Sequence, residues 1–297
     1  MALYAIAFLV LGCAATSAPA PAGTHPARTS QPPPPASPSA SAAPSPPAAV
    51  SPFASPGLRS YLARRSGHVA AALYNARTGR TWLLHPRSAP QFTASIVKVE
   101  IMGTALREAE AAGTGLTPAE KALMPSMIEN SDNDSATALL HDVGGPSAVA
   151  RFDHSAGLTD TTPSTLALIP GTDLPGWGLT TTTALDEVTL VSNFAYRSKI
   201  LSGASRRYGL ALMEHVEADQ DWGVSGGVPA GTTVALKNGW LPIASSGWQV
   251  DSIGWISGHG RNYVLAVLTD GSPTEAYGIA TIEAIAREAY RTQHGAR

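Results

Sequence analysis

The order of apolar and polar positions changes character three times along this chain. Residues 1–12 are apolar, with Leu3, Ile6, Phe8, Leu9, Val10 and Leu11 among them. The run is too short to cross a bilayer but has the length of a signal-peptide core. Residues 14–57 follow a different rule. Thirteen of the chain's 24 prolines precede Gly57, among Ala, Ser and Thr, and 14–56 hold no Asp, Glu or Lys. A segment of that kind buries too little apolar surface to fold, so 14–57 is expected to be a disordered, partly polyproline tether. Fully extended at ~3.1 Å per residue it would reach on the order of 130 Å. From Leu58 onward the pattern is that of a folded domain, 58–297.

Within that domain a short helical start (58–65) leads to two strands, 68–74 and 81–85, joined by a turn over 75–80: a β-hairpin. A helix is expected over about 96–112, ending near Gly113, and another from Thr117 with Pro118 in its first turn. Further helices are read at 135–140, 147–155, 183–195 and 205–218, with a long Gly/Pro-rich irregular loop at 157–179. Strands follow at 233–236, 250–257 and 262–269. The closing helix, 274–292, carries Ile279, Ile282, Ile285, Ala286 and Ala289 at helical spacing. Two strands, a block of helices, three strands and a helix predict an α+β sandwich: one five-stranded antiparallel sheet flanked by helices, with an inserted all-helical lobe. A site is expected in the cleft between the lobes.

Composition narrows the chemistry. A net charge of −2 gives neither a basic face for nucleic acid nor an acidic tail. The eight histidines are scattered, without H-E-x-x-H or a close pair, so no metal or other cofactor is expected. Cys13 is the one cysteine, which excludes an intramolecular disulfide and a thiolate metal site. The stretch Val10-Leu11-Gly12-Cys13 resembles the lipobox of bacterial lipoproteins, which implies lipidation of Cys13 after removal of residues 1–12. Secretion and a lipid anchor on the outer face of the bacterial cell membrane would follow. No Lys or Arg precedes the apolar run, a departure from such signals, and a cleaved, non-lipidated signal is the alternative.

Only four lysines occur: Lys98, Lys121, Lys199 and Lys237. Ser95 stands three residues before Lys98, where a polar segment becomes an apolar helical run, so the two side chains share one helix face. A desolvated lysine near other cations can lose its proton and activate a serine. An isolated S-x-x-K arises about once by chance in a chain of this length, and an ordinary helix start with a surface lysine explains it equally well. Two further motifs follow in order: Ser131-Asp132-Asn133 at the edge of the helical block, and Lys237-Asn238-Gly239 on a strand. The ordered triple is expected by chance at roughly a few per thousand or less.

This set resembles that of the penicillin-recognising serine hydrolases, in particular the class A β-lactamases, whose motifs are S-x-x-K, S-D-N and K-T-G. The resemblance extends over almost everything from Leu58 onward. It implies that Ser95 is the nucleophile forming an acyl-enzyme, Lys98 a base or proton relay, and Ser131 the donor to the leaving nitrogen. It implies further that Asn133 holds Lys98 and the substrate amide, and that Lys237 adds positive potential for Ser131 and a substrate carboxylate. Asn238, Gly239 and Trp240 would line the substrate, and the amides of Ser95 and Trp240 would receive the oxyanion. The implied partner is a β-lactam or a peptidoglycan stem peptide, met by a monomer.

Three departures qualify the resemblance. The interval from Ser95 to Ser131 is short, so the helical lobe is trimmed. Asn238 stands where the family carries Thr or Ser, which bears on recognition of a substrate carboxylate. The omega-loop glutamate that activates the deacylating water has no counterpart in 161–170; Asp160 and Asp173, which flank the region, are the nearby candidates to replace it and read most simply as loop-capping residues. Slow or unusual deacylation is therefore expected. The alternative reading is a non-catalytic envelope lipoprotein that uses the cleft to bind a wall fragment or partner.

Overall fold

A computed structural model describes residues 51–85, 89–196 and 198–293. The expected leader, Cys13 and most of the expected tether lie outside the described residues. The packed part begins with Phe53, which is buried with Leu58, ahead of the expected start of the domain at Leu58. The Pro/Ala/Ser setting of this single aromatic hid it in the sequence.

Helix α1 (Pro56–Leu62) is followed by strands β1 (His68–Asn75) and β2 (Arg80–Leu84). The hairpin turn is closed by Asn75 Oδ1, which accepts from the amides of Arg77 and Thr78. After β3 (Gln91–Phe92) come α2 (Lys98–Ala112), α3 (Pro118–Glu129), α4 (Asn133–Asp142) and α5 (Pro146–Ala156). Next are β4 (Thr181–Thr182), α6 (Ala184–Ala195) and α7 (Gly203–Met213). Three long strands, β5 (Thr233–Ile243), β6 (Gly247–Gly258) and β7 (Arg261–Ser272), precede α8 (Glu275–Thr292).

The expected five-stranded antiparallel sheet flanked by helices forms, in the order β2-β1-β7-β6-β5. Strands β1 and β7 are buried on both faces over 69–73 and 263–268, which is why those stretches are unbroken apolar runs. On β7, Val264, Ala266 and Leu268 face the core shared with the helical lobe, while Tyr263, Leu265 and Val267 face the core shared with α1 and α8. The short β3 and β4 lie outside the expected elements, and two of the expected ones end elsewhere. Helix α7 stops at Met213, and the chain turns so that the Glu217 amide donates to Glu129 O at 3.0 Å. Strand β5 runs seven residues past Leu236, because Lys237 and Asn238, polar though they are, find partners on opposite faces of the sheet.

One buried polar cluster belongs to the lobe rather than to the cleft. Glu100 on α2, Asp153 on α5, and Asp186 and Glu187 on α6 are each at most 3 % exposed. Desolvation, followed by their mutual repulsion, raises Glu100 well above the ordinary carboxylate range and Asp153 to about 7. Glu187 is raised to about 8, chiefly by burial. Asp186 also accepts from the Asp160 amide and Thr161 Oγ1, each at 2.8 Å, and so anchors the start of the 157–179 loop.

Candidate active site

The turn that carries Ser95 is held from below by the short β3–β4 pair and by the Thr93 amide donating to Thr180 O at 2.8 Å. Ala94 has φ 44°, and a 3-10 turn over Ala94–Val97 then runs directly into α2. This conformation sets Ser95, half-buried, above Lys98, which opens α2 and is fully buried. Ser131 is brought opposite by another strained residue: its own φ is 55°. Asp132 caps α4 through the Ser135 amide at 2.7 Å and thereby fixes Asn133 in the first turn. Lys237 reaches in from β5.

The resulting polar network is compact. Lys98 Nζ lies 3.1 Å from Ser95 Oγ, 3.0 Å from Ser131 Oγ, 2.5 Å from Ser131 O and 2.8 Å from Asn133 Oδ1. Lys237 Nζ donates to Ser131 Oγ and to Asn238 O, both at 2.9 Å. Burial lowers the Lys98 pKa to about 7, against a smaller upward pull from the Asp132 charge. Burial, and then the Lys98 charge, push Lys237 well below its ordinary value. A neutral amine is thus accessible beside Ser95 near neutral pH. Ser131, bonded to both lysines, can pass a proton from either.

Gly239 presses on the Ser95 turn so closely that an added Cβ would stand 2.7 Å from Thr93 O and 2.8 Å from the Ser95 nitrogen. Trp240 follows on the rim, its ring 6.0 Å from that of Trp222. Asn238 does not join this group. Strand alternation puts it on the opposite face from Lys237, 1 % exposed, where its Nδ2 donates to Gln220 O at 2.7 Å and Trp222 O at 3.1 Å. The expectation that Asn238 lines the substrate is corrected: its amide pins the 214–232 loop to the sheet.

Beside Ser95 the pocket wall is formed by Asn133, Ile169, Leu174, Trp177, Trp240 and Leu241, without a carboxylate. A larger cavity under the 214–232 loop is bordered by Glu214, Asp221 and Thr232, away from the Ser95 network, so the site is located here by its chemistry rather than by size. Asp160 lines a separate hollow with Ala70, Leu84 and Gln91, and Asp173 is exposed at the tip of the 157–179 loop. Neither carboxylate bonds to Ser95 or Lys98. The residue missed in the sequence is Trp177, on the 3-10 turn Gly176–Leu179 and only 7 % exposed. Its ring centre is 4.9 Å from Lys98 Nζ. An aromatic side chain between two glycines in a polar loop was the available signal. Among the described residues no group of three or more His, Cys, Asp and Glu is arranged to hold a metal, and no helix is long and apolar enough to cross a membrane.

Residues 113–293 match the family described as the beta-lactamase enzyme family. That match spans Ser131–Asn133 and Lys237–Trp240 but begins beyond Ser95 and Lys98. Among solved structures, the chain is similar to the TLA-1 extended-spectrum β-lactamase, with a TM-score of 0.69 at 18 % identity, over 80 % of this chain and 96 % of that one. It is also similar to a class A β-lactamase from Mycobacterium abscessus, with a TM-score of 0.66 at 24 % identity, over 79 % and 97 %. A class A representative from Bacteroides cellulosilyticus DSM 14838 gives 0.66 at 18 %, over 80 % and 95 %. At these identities the likeness is one of fold. No curated protein matches the chain.

Proposed function

The chain belongs to the beta-lactamase enzyme family, and from that premise we propose that it opens β-lactam rings or D-Ala-D-Ala-type amide bonds through an acyl-enzyme on Ser95. The observation that carries this reading is the contact of Lys98 Nζ with Ser95 Oγ, in a site where burial brings Lys98 down to about 7. Neutral Lys98 takes the Ser95 proton as Oγ attacks the carbonyl carbon. The amides of Ser95 and Trp240, brought close by the approach of Gly239, receive the developing oxyanion. When the C–N bond breaks, Ser131 Oγ donates its proton to the leaving nitrogen and is resupplied by Lys98 or Lys237.

Hydrolysis of the ester is the slow half of this scheme, since the wall beside Ser95 offers no carboxylate to activate water. The lipid-anchored placement at the outer face of the cell membrane, read from residues 10–13, completes the proposal. Intact-mass spectrometry after incubation with benzylpenicillin tests its centre. One penicilloyl adduct is expected, mapped to Ser95 and absent in Ser95→Ala. An unmodified spectrum across several β-lactams and a D-Ala-D-Ala thioester sinks the reading.

A further inference from the structure

Trp177 makes a fixed contact with the candidate base that the chemistry of acylation does not use. Its Nε1 donates to Thr137 Oγ1 at 3.1 Å, and Thr137 Oγ1 in turn donates to Asn133 O at 2.9 Å. The indole is therefore fastened to the helix that supplies Asn133. The loop around it is folded to deliver it there. Leu168 bridges to Pro175, the Gly176 amide donates to Ala167 O at 2.9 Å, and an added Cβ at Gly176 would stand 2.1 Å from Leu166 O. Only glycine lets the chain pass under Leu166 and turn the ring inward.

The consequence concerns water. Hydrolysis of an ester on Ser95 Oγ needs a water within hydrogen-bond reach of a base and of the ester carbon. The base nearest Ser95 is Lys98, and four oxygens from Ser95, Ser131 and Asn133 already crowd its Nζ. The indole covers it as well, with its ring centre 4.9 Å away. Ile169, Leu174 and Trp240 extend the apolar wall around Ser95. A π face attracts a cation but gives a water little to bond.

We propose that Trp177 is a positioning residue that sets the lifetime of the acyl-enzyme, by occupying the space a water would need against Lys98. This rests on acylation of Ser95 as proposed above and goes beyond it in assigning the slow step to one side chain. Removing the ring admits water to a base already present. Replacing it by a phenyl ring, which lacks the Nε1–H anchor, admits less.

The experiment is a pulse-chase followed by intact-mass spectrometry. Wild type, Trp177→Ala and Trp177→Phe are loaded with benzylpenicillin, freed of excess drug, and followed for loss of the adduct. Trp177→Ala is expected to shorten the adduct lifetime on the order of tenfold or more, while Trp177→Phe, which keeps an apolar ring but loses the Nε1–H that anchors it to Thr137, shortens it less. The accelerated loss should rise with pH and then level as the free base of Lys98 saturates, with its midpoint above about 7 because the ring no longer shields the amine from water, whereas direct hydroxide attack through a loosened loop would keep climbing. Thr137→Val, which keeps the ring but removes its anchor, should fall between and serves if Trp177→Ala does not fold. Adducts that form in the variants and decay at the wild-type rate overturn this inference alone. Absence of any Ser95 adduct in wild type overturns both it and the acylation proposal.

Discussion

At the scale of single residues, the site turns on how much water reaches two lysines. Lys98 and Lys237 are both fully buried, and both meet Ser131 Oγ, so protonating one disfavours protonating the other. The proposed acylation would use the free base of Lys98, whose pKa of about 7 would set its profile. The rate of adduct formation is expected to climb about tenfold between pH 6 and pH 8 and then level, as the neutral fraction saturates. Stopped-flow acylation with a chromogenic cephalosporin measures it; a flat profile over that window would show that Lys98 is not the base. Lys98→Ala is expected to slow acylation by about 10²–10⁴, the usual contribution of a positioned base. The Ser95, Lys98 and Ser131 group was legible beforehand because S-x-x-K and S-D-N are local spacings. Trp177 was not, since nothing in its neighbours' identities says that a loop will carry it to Lys98.

At the scale of elements, β5 does two jobs on its two faces. Ala235, Lys237 and Gly239 face the lobe and the Ser95 turn, while Leu236 and Asn238 face the α8 side. The period of two was available from sequence once 237–239 were placed on a strand, and it separates Asn238 from Lys237. Motif resemblance pointed the other way. Asn238→Ala should leave the carbonyls of Gln220 and Trp222 short of a buried donor and destabilise the fold by about 1–3 kcal/mol. Urea denaturation reads this, and adduct formation on Ser95 should persist at low denaturant. Unchanged stability with acylation abolished would instead return Asn238 to the substrate. Gly239→Ala tests the other face. Its Cβ would meet Thr93 O and the Ser95 nitrogen below 3 Å, so acylation should fall sharply even where the variant remains folded by circular dichroism.

For the whole molecule, the buried carboxylates of the lobe govern how stability varies with pH. Glu187 and Asp153 are raised to about 8 and about 7, from ordinary values of 4.5 and 3.8, mainly by burial. The folded chain thus keeps protons that the unfolded chain releases, and it gains relative stability below the unfolded values. That gain is lost as pH rises from about 4 to about 8. Urea midpoints should fall across this window, and Glu187→Gln, which cannot ionise, should flatten the decline. A stability curve that climbs steadily from pH 5 to 8 would contradict the assignment. Lys98 acts oppositely but later: its lowered pKa penalises folding below 10.5, and the penalty fades as pH rises from about 7. The proposed anchor belongs to this scale too. Expressed in a bacterium, the full chain should partition with membranes and release on Cys13→Ala; equal release of both forms would remove the lipid.

What the sequence determined by itself is whatever depends on spacing along the chain. Alternating and helical periods set the strands and most of the helices, and residues a few positions apart set each motif, because backbone geometry ties local spacing to side-chain direction. What only the tertiary structure decided is which distant side chains share water-free space. Glu100, Asp153 and Glu187 come from three helices, and their pKa shifts exist only once those helices pack. Trp177 is 79 positions from Lys98 in sequence and 4.9 Å from it in space. Desolvation is a property of an enclosed volume, and no stretch of chain encloses a volume until the rest has folded around it.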